Sequence, residues 1–337
     1  MSMRLSDPWS IFSKAGRRTN LGVLAMLVGA FVTGWVAFAT SQPPNSVLAA
    51  GAHGLFGVGL LVLAPWKTMI VRRARRMRPT SLILMTIIVV CLGAGFLELF
   101  RGYGTVAGLS PIQVHVGAAL AIVPPVLWHV LRHRRQRPVR SDLSRRSLLQ
   151  SASLLGTAVA GYAVLAGATQ LASGTRAGTG SRQLAPADMP ATIWLLDRVP
   201  ELDLTTYAVV VDGTPVTIEA LRSGAQPTRA RLDCTSGWYA DATWTGVLLS
   251  GLLDRDRLAA ATSLRIRSTT GYTRTFPIAE ADRLWLTTGY EGRSLSAGRG
   301  APVRLVAPGY RGYWWVKWVM SVELVTTPSW FQLPFPV

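Results

Sequence analysis

Four histidines and two cysteines are the side chains of this 337-residue protein best suited to hold a metal or attack a substrate. The histidines, His53, His115, His129 and His133, all precede residue 134. Past that point a Ser-His-Asp triad, a Cys-His pair and a histidine-ligated zinc site are excluded. Cys91 lies in an apolar run and Cys234 in the polar half, so a disulfide framework is not expected. Cys234, within LDCTSGW, is left three roles: a buried hydrophobe, a reactive thiol or a metal ligand. The surrounding half offers many arginines and a tryptophan-rich segment, Pro308 to Trp318, but no Gly-rich phosphate loop after a strand.

The elements that must position these residues differ between the two halves. Residues 1–180 carry 19 Lys+Arg against three acids, Asp7, Glu98 and Asp142, while residues 181–337 carry 16 against 14. The formal charge of +18 thus belongs to the apolar half, which argues against a nucleic-acid-binding face. That half contains five apolar runs, roughly 21–40, 47–70, 80–100, 112–131 and 148–171. Each suffices for a bilayer-crossing helix, which needs about 20 residues.

Basic residues fill alternate gaps: Lys14, Arg17 and Arg18; RRARRMR; RHRRQRPVR with Ser144-Arg145-Arg146. By the positive-inside rule the N-terminus is cytoplasmic and everything after the fifth run lies outside the cytoplasm, on a multi-pass protein in contact with membrane lipid. Ser144-Arg145-Arg146-Ser147-Leu148-Leu149 also resembles a twin-arginine export motif. The expected organisation is a four-helix membrane module at 1–135 and a basic loop with a fifth helix at 136–172. A Gly/Ser/Thr-rich tether at 173–185 leads to an extracytoplasmic domain at 186–337.

That domain reads as α+β and mainly β. Val209-Val210-Val211-Asp212-Gly213 predicts a strand entering a turn, and Val303 to Val306 a strand ahead of the Pro308-Gly309 turn. Ala242 to Leu253 predicts a short helix, and long helices are not expected.

The order LDCTSGW, WTGVLLSGLL, TTGYTRTFPI, GAPVRLVAPGYRGYWWVKW and SVEL, over about residues 200–325, resembles the molybdopterin-binding domain of the sulfite oxidase family. The resemblance implies that Cys234 is a thiolate ligand to molybdenum and that Gly312, Lys317 and Trp318 belong to the segment holding the pterin. A single soft protein ligand leaves positions open for oxygen-atom transfer. Two features depart from the family. Its Arg-Asn-His stretch is replaced by IWLLDRVPELD, and Arg299 stands in the Gly-Ala-Pro loop where the family has a histidine. The dimerisation domain of sulfite oxidases has no expected counterpart before Val337. Arg299 and Arg311 rank first for an anion pocket, with a planar donor fork in each. The alternative for Arg311, as for Arg231 and Arg304, is an ordinary surface charge, and Trp314 and Trp315 are expected to be core or membrane-surface aromatics.

In the membrane half, His53 and His115 lie at similar depth in the second and fourth runs, where they could ligate one heme b from opposite faces or, as the alternative, be hydrogen-bonded between helices without heme. His129 lies 14 residues beyond His115, on the same helix face nearer the cytoplasmic side, and His133 falls in the basic loop. The segments HGLFGVGLLVLAPWK and VHVGAALAIVPPVLWHVLRHR resemble membrane cytochrome b modules.

The expected function is that of a membrane-anchored molybdenum oxidoreductase acting outside the cytoplasm on a small oxyanion, sulfoxide or N-oxide. Electrons would pass through the membrane module to or from quinone or another carrier. The alternative is a cofactor-free domain of the same fold serving as a binding or assembly module.

Overall fold

The computed structural model describes residues 15–40, 42–73, 79–101, 103–106, 108–132, 145–173, 175–193 and 198–333. Lys14, most of RRARRMR, His133 and Ser144 lie outside the described residues, as do 194–197 of the IWLLDRVPELD stretch. The chain divides into two compact units between Gly180 and Ser181, the second also taking Ala39–Gln42.

The first unit is helical: α1 (Arg17–Ala39), α2 (Asn45–Arg73), α3 (Pro79–Arg101), α4 (Pro111–Arg132) and α5 (Arg145–Ser173). All five are long and apolar enough to cross a membrane. They contain every apolar run read from the sequence, with each helix end falling at or near a basic or turn-forming residue. Their outer faces stay apolar: Val28, Val32, Leu82, Val89, Leu120 and Val164 are exposed. That pattern suits lipid as solvent better than water. Contacts between helices rely on small residues that admit large ones. A Cβ on Gly29 would stand 2.5 Å from the Phe56 ring, and one on Gly59 2.7 Å from the Met26 sulfur, so α1 and α2 approach only because both positions are glycine.

The second unit is mainly β, its strands drawn from Val-, Thr- and aromatic-rich segments. In chain order these are β1 (Arg182–Gln183), β2 (Ala208–Val211), β3 (Thr214–Thr217), β4 (Gln226–Cys234), β5 (Trp238–Leu248), β6 (Ser263–Ser268), β7 (Thr273–Pro277), β8 (Trp285–Tyr290), β9 (Arg293–Ser294), β10 (Arg304–Val306) and β11 (Val319–Val325). One sheet runs β1-β5-β8-β10, with β4 also pairing β5 and β9 pairing β8. The other runs β3-β2-β11-β6-β7. Among the described residues of this unit the α-helices are short, α6 (Ile218–Ser223) and α7 (Arg255–Ala260), capped by Thr217 and Asp254.

The turn after Val211 forms as the sequence indicates, with Asp212 and Gly213 at φ 47° and 88°. The strand at Val303 to Val306 is β10. The helix expected at Ala242 to Leu253 does not form. Residues 242–248 continue β5, and Leu249–Leu252 make a single 3-10 turn. Alternating burial along β5 buries Ala240, Ala242 and Trp244, a period-2 pattern that outweighs local helix propensity. Gly246 sits at a register shift against β8, where a Cβ would run into the Leu286 backbone.

Candidate active site

The β4–β5 hairpin sets the site. Cys234 ends β4, pairs with Trp238 at the start of β5, and is only 8% exposed. The connecting turn uses Gly237 at φ 89°, and the Ser236 N–H donates to Cys234 Sγ at 3.5 Å. Gly312 lies against the hairpin end, where a Cβ would come 3.1 Å from Cys234 Cα and 3.2 Å from the Asp233 carbonyl oxygen. A side chain at 312 would press the hairpin end by a few tenths of an ångström, so glycine eases this close approach. The Cys234 sulfur opens on a cavity of about 40 Å³. Its walls include Leu232, Trp238 and Gly312, the segment Pro190 to Thr192, and the cations Arg299, Arg304 and Lys317.

Each cation is anchored. Lys317 Nζ donates to the carbonyls of Thr192 and Gly298, both at 2.7 Å. Arg299 donates to the Met189 carbonyl, and its guanidinium lies 5.1 Å above the Tyr290 ring. Arg304, 4% exposed, donates to the Arg299 carbonyl at 3.1 Å and lies over the rings of both Trp244 and Trp315, at 5.3 and 5.7 Å. Burial pushes the Arg304 guanidinium down to about 10, an effect that its attraction to Cys234 opposes. The buried Nε atoms of Arg299 and Arg304 have no hydrogen-bond partner. Two uncommitted donors beside a soft sulfur suit an anionic, metal-bearing pterin, so the donor chemistry of the residues present fits that cofactor.

Beside the cavity lies a buried ion pair. Arg311 NH1 donates to Asp233 Oδ1 at 2.7 Å, and Ser181 Oγ donates to the same oxygen at 2.7 Å. Arg311 is therefore committed to Asp233 and is not among the residues lining the cavity. Trp318 is also set back. Its indole, 1% exposed, donates to the Ala297 carbonyl at 2.8 Å and fastens the turn that carries Arg299.

Of the residues singled out in the sequence, Cys234, Arg299, Gly312 and Lys317 converge on the cavity, while Arg311 and Trp318 support it from behind. Arg304, expected at the surface, is buried in the site. The available signal was its place inside the apolar strand Val303 to Val306, where a charge needs a reason to be. Thr192 and Asp233 were also missed. Arg231 is exposed as expected and pairs with Asp241. Trp315 is a core residue, and Trp314 stacks against Phe276 and Tyr310.

In the helical unit, His53 and His115 meet with ring centroids 5.7 Å apart and planes at 86°. His53 Nδ1 lies 2.8 Å from the Ala30 carbonyl and His115 Nδ1 2.8 Å from that of Cys91. A carbonyl only accepts, so each Nδ1 is the donor, which in a neutral imidazole makes Nε2 the nitrogen with the lone pair. Among the described residues no group of three or more His, Cys, Asp or Glu comes together as a metal site.

Residues 197–331 match the family described as oxidoreductase molybdopterin binding domain. Among solved structures, the sulfane dehydrogenase SoxCD from Paracoccus pantotrophus is 25% identical, over 38% of this chain and 40% of that one, with a TM-score of 0.34. The chain thus spans about two fifths of that relative's length. No curated protein matches. The family match covers the hairpin with Cys234 and the cations Arg299, Arg304 and Lys317 but not the Pro190 to Thr192 wall, and residues 197–331 form a molybdopterin-binding oxidoreductase domain of the sulfite oxidase type.

Proposed function

We propose that the protein is a membrane-anchored molybdenum oxidoreductase that carries out oxygen-atom transfer outside the cytoplasm on a small oxyanion, sulfoxide or N-oxide. The carrying observation is Cys234: a buried thiol at a small cavity whose charged walls are Arg299, Arg304 and Lys317. When bound through this thiolate, molybdopterin supplies a two-electron centre for moving an oxygen atom. Arg299 and Arg304 offer Nε–H donors to an anion, Lys317 holds the Pro190 to Thr192 wall by its carbonyl, and Gly312 gives the loop its close approach to Cys234. The aromatic packing around Arg304 keeps water from competing for its charge.

The helical unit supports a second part of this reading, electron exchange through a heme b between His53 and His115, with quinone as the partner in the lipid phase. Both rings are oriented by a backbone carbonyl at Nδ1, the arrangement in which Nε2 is free to bind a metal.

Metal and pterin analysis of the purified full-length protein tests the proposal. Stoichiometric molybdenum and pterin are expected, and both should be lost in Cys234→Ser while the thermal transition moves little, since a hydroxyl fits the same space but is a harder ligand. A wild-type protein without either component would instead identify a cofactor-free binding or assembly module.

A further inference from the structure

Thr192 is the one side chain, apart from the hairpin itself, that hydrogen-bonds the Cys234 sulfur: its Oγ1 lies 3.3 Å from Sγ among the described residues. Nothing in the motif order marks this position. It belongs to the segment after β1, which makes a 3-10 turn at Pro186–Asp188 and buries Met189 to 1%. Two cations then pin the segment from the far side of the cavity. Arg299 donates to the Met189 carbonyl, and Lys317 Nζ donates to the carbonyl of Thr192 itself at 2.7 Å. The hydroxyl is thereby held in place instead of reaching the sulfur by a free loop motion.

With a thiol at Cys234, either atom of the pair can donate. Once the sulfur is a thiolate bound to a metal it has no proton, and the hydroxyl is the only possible donor. The Ser236 N–H, at 3.5 Å, is a second donor to the same atom. Hydrogen bonds to a ligating sulfur withdraw electron density from it and raise the reduction potential of the attached centre. We propose that Thr192 is a positioning residue that tunes the Cys234 thiolate through this hydrogen bond. The inference rests on the reading of Cys234 as the molybdenum ligand.

The test uses the full-length, cofactor-loaded protein and two variants. Thr192→Val keeps the shape and removes the donor, while Thr192→Ser keeps the donor and removes a methyl group. Two quantities are read: the midpoint potential from an EPR-monitored redox titration of the molybdenum(V) signal, and the metal–sulfur stretch from resonance Raman. Thr192→Val should lower the potential and raise the stretching frequency, with Thr192→Ser close to wild type in both. Unchanged values in Thr192→Val, or equal shifts in the two variants, would overturn the inference while leaving the molybdenum assignment intact. Wild-type protein lacking molybdenum would remove the assignment and this role together.

Discussion

Asp233 and Arg311 hold one another at 2.7 Å with both side chains nearly sealed from solvent, one residue away from the candidate metal ligand. The bond crosses from β4 to the loop that carries Gly312, and the two residues also form an isolated parallel bridge through their backbones. Removing one partner leaves the other buried and uncompensated, at a cost of about 3–5 kcal/mol. Asp233→Ala and Arg311→Ala should each lower the denaturation midpoint strongly, and the double variant should lose less than the sum. Additive losses would show that the pair does not couple.

The histidine pair makes a spectroscopic prediction. His53→Ala or His115→Ala should each abolish a low-spin b-type absorbance in purified membranes, because one heme needs both axial ligands. His129→Ala should leave the band in place. A membrane preparation of the wild-type protein with no heme absorbance at all would refute the proposed electron route.

Export is tested separately from chemistry. A reporter fused after Val337 should be active only outside the cytoplasm, as the alternating basic gaps require. Replacing Arg145 and Arg146 by lysine keeps the positive charge, so the first four helices should still insert while the folded domain stays inside. Unaffected export in that variant would point to the general secretory route instead of the twin-arginine one.

Acid titration should expose a small surface contribution. The Arg231 guanidinium, bonded to Asp241 through Nε and NH2 at 2.8 Å each, holds the Asp241 carboxyl below its usual value. The pair therefore stabilises the fold above roughly pH 4 and loses that effect as the carboxyl protonates below it. Because Arg231 is half exposed, the contribution is at most about 1 kcal/mol. The stability difference between wild type and Asp241→Asn should shrink toward zero as the pH falls through the lowered folded-state value of the Asp241 carboxyl, and a constant difference across the titration would rule out an ionic origin.

The five helices were legible because each is a run long and apolar enough to cross a bilayer, and the basic gaps fall at its ends. Cys234 was legible by a different route: no periodicity distinguishes it, and it stood out only through the ordered motifs around it. Residues 242–248 were misread because Ala, Thr, Val and Leu suit either state locally. The decision came from partners distant in sequence, β4 and β8. Arg304 was misjudged because arginine is exposed by default, and the tryptophans that cover it lie 60 and 11 residues away in the chain. Thr192 left no trace, since a hydroxyl on a loop has no pattern until the fold brings the sulfur to it.

The short strand β1 has a mechanical consequence. It pairs in parallel with β5 at Arg182↔Trp238, and Trp238 is also the residue paired with Cys234. Ser181, immediately before it, is bonded to Asp233. Tension along the segment leading out of α5 would reach Ser181 and β1 before any other part of the sheet, and from there would load the hairpin that holds the thiol. That segment is tied off beside Cys234, so a pull on it strains that residue's own strand pairing before it strains the rest of the domain.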